Sequence, residues 1–159
     1  MLSVLVIGVG KLKEAWEREA CEEYIKRLKR FCALEVREVP DQPEPDKPSE
    51  ALNRRVMEKE GRDILSCIRP TDRVVALCIQ GTAYSSEQFA GRIGEWSMEG
   101  KRLVLVIGGS LGLSQEVIAR ADEKLSFSKF TFPHQLMRVI LLEQLYRAFK
   151  IGARERYHK

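Results

Sequence analysis

No apolar run in this sequence approaches the roughly 20 consecutive residues that a membrane-spanning helix requires. Cysteine is sparse and scattered: Cys21, Cys32, Cys67 and Cys78 form no Cys-x-x-Cys pair. Histidine is scarcer still, with only His134 and His158, so zinc-ligand spacing is absent and no metal is expected. The four thiols read as reduced and mostly buried, the usual state of free cysteine. There is no Gly-x-x-x-x-Gly-Lys-Ser/Thr, which argues against a triphosphate cradle. The dinucleotide fingerprint is broken as well. Gly8 and Gly10 provide two of its glycines, but Lys13 stands where the third must let a helix pack closely. "GGSLG" at 108–112 fails the same fingerprint, which disfavours a nucleotide-binding oxidoreductase. "LSVLVIGVG" follows Met1 with no basic leader, and a cytoplasmic protein is expected.

What is present reads as one domain. A chain of 159 residues, 44% hydrophobic and 31% charged, has a globular composition. At that length about 68–70% of the unfolded surface is buried on folding, enough for a core without disulfides or metals. Strand-like runs alternate with helical patterns, which predicts an α/β fold with a parallel sheet covered by helices. "LSVLVIG" is β-branched and apolar, as a strand buried on both faces must be, and "KRLVLVIGGSLGL" is another strand, ending in glycines. "DRVVALCIQG" is a further parallel strand ending at Gly81, and "ALEVREV" alternates as a half-buried one. Helices are predicted over "KEAWEREACEEYIKRLKRF", with Trp16, Ala20, Tyr24 and Leu28 on the apolar face, and from Ser49 to about Ile68. Another opens at Ser85 with Gln88 in capping-box spacing. A short helix at Gln115 to Arg120, a short strand near Lys124 to Ser128 and a long terminal helix complete the pattern. "PDQPEPDKPS", with four prolines, is expected to be an extended surface loop.

Charge is unevenly placed. From Lys129 to Lys159 there are seven basic residues against Glu143 and Glu155, a balance of +5 within a chain whose total is +4. A basic end on a near-neutral body predicts a polyanionic partner, nucleic acid first. In open parallel sheets ligands bind beyond the carboxyl ends of the strands. Three of those ends are marked here: "LCIQG", "VIGGSLG" and "SFSKFTF". The last carries Phe127, Phe130 and Phe132 but no carboxylate, which suits a ligand held by backbone groups and an apolar wall. In the terminal helix Leu136, Met137, Val139, Ile140, Leu141, Leu142, Leu145, Tyr146 and Phe149 leave almost no polar face. Such a helix must be covered on more than one side. A second copy of the chain is expected to provide that cover, making a homodimer.

"VIGGSLGL", "LSFSKFTFPHQLMRVILLEQLYRAFKI" and the terminal "YHK" closely resemble the SPOUT methyltransferases, and within them the ribosomal RNA large-subunit methyltransferase H branch. The likeness runs from "VGKLKE" to Lys159 and takes in "VPD" and "EKEG". It implies a single SPOUT domain over residues 1–159 with a C-terminal trefoil knot at approximately 102–150. It implies methyl transfer from S-adenosyl-L-methionine to N3 of a pseudouridine in a stem-loop of large-subunit (23S) rRNA in the assembled ribosome, by a homodimer. Cofactor contacts carry over to Leu77, Gly108, Phe127, Ser128, Lys129, Phe130, Thr131 and Phe132. Relatives often have an acidic residue after Leu77 and a Lys after Gly81, where this chain has Cys78 and Thr82, so no side-chain contact is carried over to those two.

Methyl transfer from a sulfonium is an in-line displacement, so positioning supplies much of the acceleration. The acceptor imide must still lose a proton, and a nearby cation stabilises the resulting anion. His158 is the candidate for the proton and Arg147 for the cation. Arg147 also lies four residues after Glu143, a sufficient structural reason for it. His134, after Pro133, reads as a capping or packing residue. Tyr157 is a candidate to stack on a base or to pin the tail. Arg138, Arg154, Arg156 and Lys159 are assigned to RNA phosphates. The alternative is a non-catalytic RNA-binding module of the same fold that keeps only the basic end.

Overall fold

In the computed structural model, which describes residues 1–157, strands and helices alternate along the chain. They are β1 (Leu2–Val9), α1 (Ala15–Leu28), β2 (Cys32–Val39), α2 (Glu50–Ser66), β3 (Arg73–Ala83), α3 (Ser86–Met98), β4 (Leu103–Val106), α4 (Gln115–Arg120), β5 (Glu123–Ser126) and α5 (His134–Gly152). The five strands form one sheet in the order β2-β1-β4-β3-β5, and every pairing in it is parallel. The molecule is a single-domain α/β fold with helices on both faces of the sheet.

Strand alternation divides the core in two. Val4 and Val6 of β1 join Leu103 and Leu105 of β4 on the face covered by α1, α3 and α5. Their neighbours Leu5, Ile7, Val104 and Val106 point to the other face, packed with Ile64 of α2 and Val117 of α4. All four residues of β4 are buried, which its unbroken apolar run requires. Leu141, Leu142 and Leu145 of α5 are fully enclosed, each contributing about 1.5–3 kcal/mol by removal from water.

Caps set the helix entries as the sequence predicts. The Ser85 hydroxyl accepts from the Gln88 N–H while the Gln88 side chain accepts from the Ser85 N–H, completing a capping box. Ser49 accepts from the Leu52 N–H at the start of α2. One expectation fails: Trp16 is not in the core but 55% exposed. The buried stripe of α1 runs instead through Glu17, Cys21 and Leu28. The register is one residue away from that implied by Trp16: Glu17 of the first turn is buried while Trp16 beside it faces outward.

Candidate functional site

The carboxyl ends of β3, β4 and β5 and the amino end of α5 surround an open cleft of about 1010 Å³. Of the residues assigned to the cofactor, Leu77, Gly108, Phe127, Ser128, Phe130, Thr131 and Phe132 line this cleft, whereas Lys129 does not. Cys78, Ile79 and Gln80 line it too, for a reason the sequence does not announce. Leu125 of β5 faces both Leu77 and Thr82 of β3, so the segment between them bulges out of the ladder toward the cleft. Gly81 makes the bulge possible, since a Cβ there would lie 2.7 Å from the Leu125 backbone.

The turn after β4 forms the opposite wall. The Gly112 N–H donates to the Gly109 carbonyl at 3.0 Å, and Gly112 has φ +90°, a conformation that side chains disfavour. A Cβ on Gly108 would come within 2.9 Å of the Gly112 carbonyl carbon. The turn is therefore a backbone cradle that any side chain at Gly108 would fill. The aromatic loop holds itself: Ser126 donates to the Ser128 carbonyl at 3.1 Å, and the Phe130 N–H donates to the Ser128 hydroxyl at 3.0 Å. Phe127 is anchored edge-on to Phe89 with centroids 6.3 Å apart, while Phe130 is 80% exposed. A cleft with apolar walls, backbone donors and acceptors and few charges fits an adenosyl group better than a polyphosphate.

His134 also lines the cleft. Burial, and then the charge of Arg138, push its pKa below the usual imidazole value. Arg138 itself requires a correction. It is 2% exposed, ion-paired with Glu38 at 2.5 Å, and its Nη2 donates to the Gly10 carbonyl at 3.0 Å. A phosphate cannot reach a guanidinium committed in this way. Arg138 is an internal tie between the start of α5 and the ends of β1 and β2, placed inside because its position on α5 faces the sheet. Arg154 and Arg156 are exposed at the tail, as a phosphate contact needs.

Arg147 lies in a second cluster. Its Nε donates to Glu143 Oε1 at 3.0 Å, and its guanidinium stacks over the Tyr157 ring 4.8 Å away. Tyr157 in turn donates to Glu143 Oε1 at 3.2 Å and meets Tyr146 edge-on. The hydrogen bond from Arg147 to Glu143 holds the Arg147 pKa up, and burial does the same for the Tyr157 phenol. Tyr157 is thus pinned against α5 within the protomer. His158 and Lys159 lie outside the described residues. The structure does not bring Arg147 to the cleft of the same chain: His134 and Arg147 are thirteen residues apart on one helix, about 20 Å along its axis.

Among the described residues no group of three or more His, Cys, Asp or Glu is arranged to hold a metal, and no helix is long and apolar enough to cross a membrane. A family described as predicted SPOUT methyltransferase matches residues 2–158. A protein of Bifidobacterium animalis subsp. lactis named ribosomal RNA large subunit methyltransferase H is 54% identical, over 99% of this chain and 100% of its own length. Ribosomal RNA large subunit methyltransferase H 1 of Clostridium perfringens and the H protein of Clostridium novyi are each 52% identical over the same shares. With full-length likeness at this level and a glycine-walled cleft at the strand ends, the chain belongs to the SPOUT methyltransferases, in the ribosomal RNA large subunit methyltransferase H family.

Proposed function

We propose that this protein is an S-adenosyl-L-methionine-dependent methyltransferase acting on N3 of a pseudouridine in large-subunit (23S) rRNA of the assembled ribosome. The observation that carries the reading is the cleft, in which three separate strand ends converge on a backbone cradle beside a wall of phenylalanines. S-adenosyl-L-methionine, when bound, supplies the methyl group as an electrophilic sulfonium carbon. Gly108, Leu77 and the 127–132 loop hold the adenosyl part through backbone groups and apolar contact. The trefoil path over 102–150 belongs to the same proposal.

The acceptor must be a second contribution. Arg147 balances the charge of the deprotonated imide, its position set by Glu143 and Tyr157, and His158 takes the proton. Because Arg147 stands ten residues beyond Met137, the last α5 residue lining the cleft of its own chain, or about 15 Å along the helix, the active unit is a homodimer in which one protomer's α5 end faces its partner's cleft. Half-buried Leu136, Val139 and Ile140 supply the apolar surface for that contact. Exposed Arg154 and Arg156, with Lys159, take the RNA phosphates.

The deciding experiment is transfer of labelled methyl from S-adenosyl-L-methionine to ribosomes from a strain lacking the gene. Transfer to intact ribosomes, little to an isolated stem-loop, and mapping to a pseudouridine N3 are expected. Arg147→Lys should lower kcat while leaving cofactor affinity unchanged. Binding of ribosomes without transfer would overturn the catalytic reading in favour of an RNA-binding module.

A further inference from the structure

Two stretches with no part in the cofactor reading, the proline-rich loop after β2 and Glu60 on α2, meet the glycine turn, the loop bonding to its Ser110. Glu60 is 4% exposed. Its Oε2 accepts from the Gln42 N–H at 2.9 Å, and its buried Oε1 has no hydrogen-bond partner among the described residues. The carboxyl group packs closely against Gly109: a Cβ on that glycine would sit 2.8 Å from Oε1 and 3.3 Å from Oε2. Burial pushes the Glu60 pKa upward against the opposing Gln42 N–H, and the charges of Asp41 and Glu44 add to the rise. On the far side of the turn, Ser110 donates to Glu44 Oε1 at 2.5 Å. The proline-rich loop is thereby bonded both to Glu60 and to the turn.

A position that needed only volume would be served by leucine or methionine, with no polar atom to desolvate. The carboxylate sits instead between the Gln42 N–H, which it accepts from, and Gly109, against which it packs. Behind it the contact is equally close: a Cβ on Gly61 would fall 2.4 Å from the hydroxyl of Ser114, which caps α4. Helix α2 therefore packs closely against Gly109 in the turn and against Ser114 just beyond it.

We propose that Glu60 is a positioning residue for the cofactor-binding turn Gly108–Gly112, and that the proline-rich loop is a strap securing it from behind. The proposal rests on the cofactor reading of that turn. Glu60 does not line the cleft; it acts through the backbone groups of Gly108 and Gly109, both of which line it. Moving the carboxyl moves those groups, and a site held by backbone contacts tolerates little displacement.

The test compares Glu60→Gln, Glu60→Ala, Gly109→Ala and Ser110→Ala with the unaltered protein. S-adenosyl-L-methionine affinity is read by calorimetry, KM and kcat on ribosomes, melting temperature, and amide hydrogen exchange over 108–113 without ligand. Glutamine keeps the shape and the acceptor, so Glu60→Gln should bind within about twofold of the unaltered protein. Glu60→Ala and Gly109→Ala should weaken binding by about tenfold or more where both remain folded. KM for the cofactor should rise with kcat at saturation preserved, and exchange over 108–113 should quicken. Ser110→Ala should fall between. Lowered melting temperature with unchanged affinity in the alanine variants, or equal loss in Glu60→Gln, would overturn the proposal. If Glu60→Ala does not fold, Gly109→Ala, which crowds the same contact, decides between the two outcomes. Should the unaltered protein fail to bind S-adenosyl-L-methionine, the cofactor reading falls, and the exchange comparison still decides whether Glu60 holds the turn.

Discussion

Gly8 and Arg138 compete for one volume, and a double-mutant cycle on the pair tests how the end of β1 is tied to α5. A Cβ on Gly8 would lie 2.5 Å from Arg138 Nη2 and 2.7 Å from its Cζ and Nε. Normal contact is near 3.5–4.0 Å, so Gly8→Ala must drive the guanidinium back by about 1 Å and break its bond to the Gly10 carbonyl. Overpacking costs about 1–3 kcal/mol, and a hydrogen bond from a charged donor about 1.5–3 kcal/mol. Part of each is recovered by relaxation, so we expect Gly8→Ala to cost about 2–4 kcal/mol. Arg138→Met removes the obstacle. Breaking a buried ion pair costs about 3–5 kcal/mol, but the Glu38 side chain is 38% exposed and regains water. A loss of about 2–3 kcal/mol is therefore expected for Arg138→Met. In that background Gly8→Ala should cost less than about 1 kcal/mol, and the alanine offsets some of it by restricting the unfolded chain. The coupling is then about 2 kcal/mol. Urea unfolding at fixed protein concentration, followed by fluorescence of fully buried Trp96, measures all four corners. Additivity within about 0.5 kcal/mol would refute the shared-volume argument.

Asp72 and the thiols give two further tests. The Asp72 side chain is 1% exposed and accepts from Arg102 and from the Arg69 N–H. Burial would raise its pKa, but those bonds outweigh burial and hold it below the usual carboxylate value. Its stabilisation is therefore present at neutral pH and lost as pH falls through the ordinary carboxylate range toward the folded pKa. Asp72→Asn should cost about 3–5 kcal/mol at pH 7, because it strands a mostly buried Arg102. It should also flatten part of the acid limb of a stability–pH curve, and an unchanged limb would count against this account. Burial pushes the thiols of Cys21 and Cys32 up to about 11, while Cys78 is half-buried beside the cleft. A disulfide reagent near neutral pH should modify Cys67 and Cys78 well before the other two. Added S-adenosyl-L-methionine should slow Cys78 alone; protection of Cys67 instead would misplace the ligand.

The site was legible in the sequence where its signals are local. The glycine pair after β4 and the aromatic loop after β5 stand out because a short stretch of chain has to make each wall by itself. The bulge at Cys78–Gln80 was not, since it exists only where β3 meets β5 and Leu125 serves two partners. Glu60 was hidden for the same reason: inside an otherwise charged helix, nothing marks one glutamate as the buried one. Arg138 was misread because a basic residue in a basic segment looks solvent-facing until the helix is rotated onto its sheet.

By itself the sequence determined which segments are strands and helices, where Ser49 and Ser85 cap them, and the alternating order that makes a parallel sheet. Those outcomes depend on periodicity, capping chemistry and proline within a few residues of each other. Only the tertiary structure decided which charged side chains are buried, how the proline-rich loop reaches the glycine turn, and where β3 bulges into the cleft. Each of those depends on distances between residues tens of positions apart, which local chemistry does not encode.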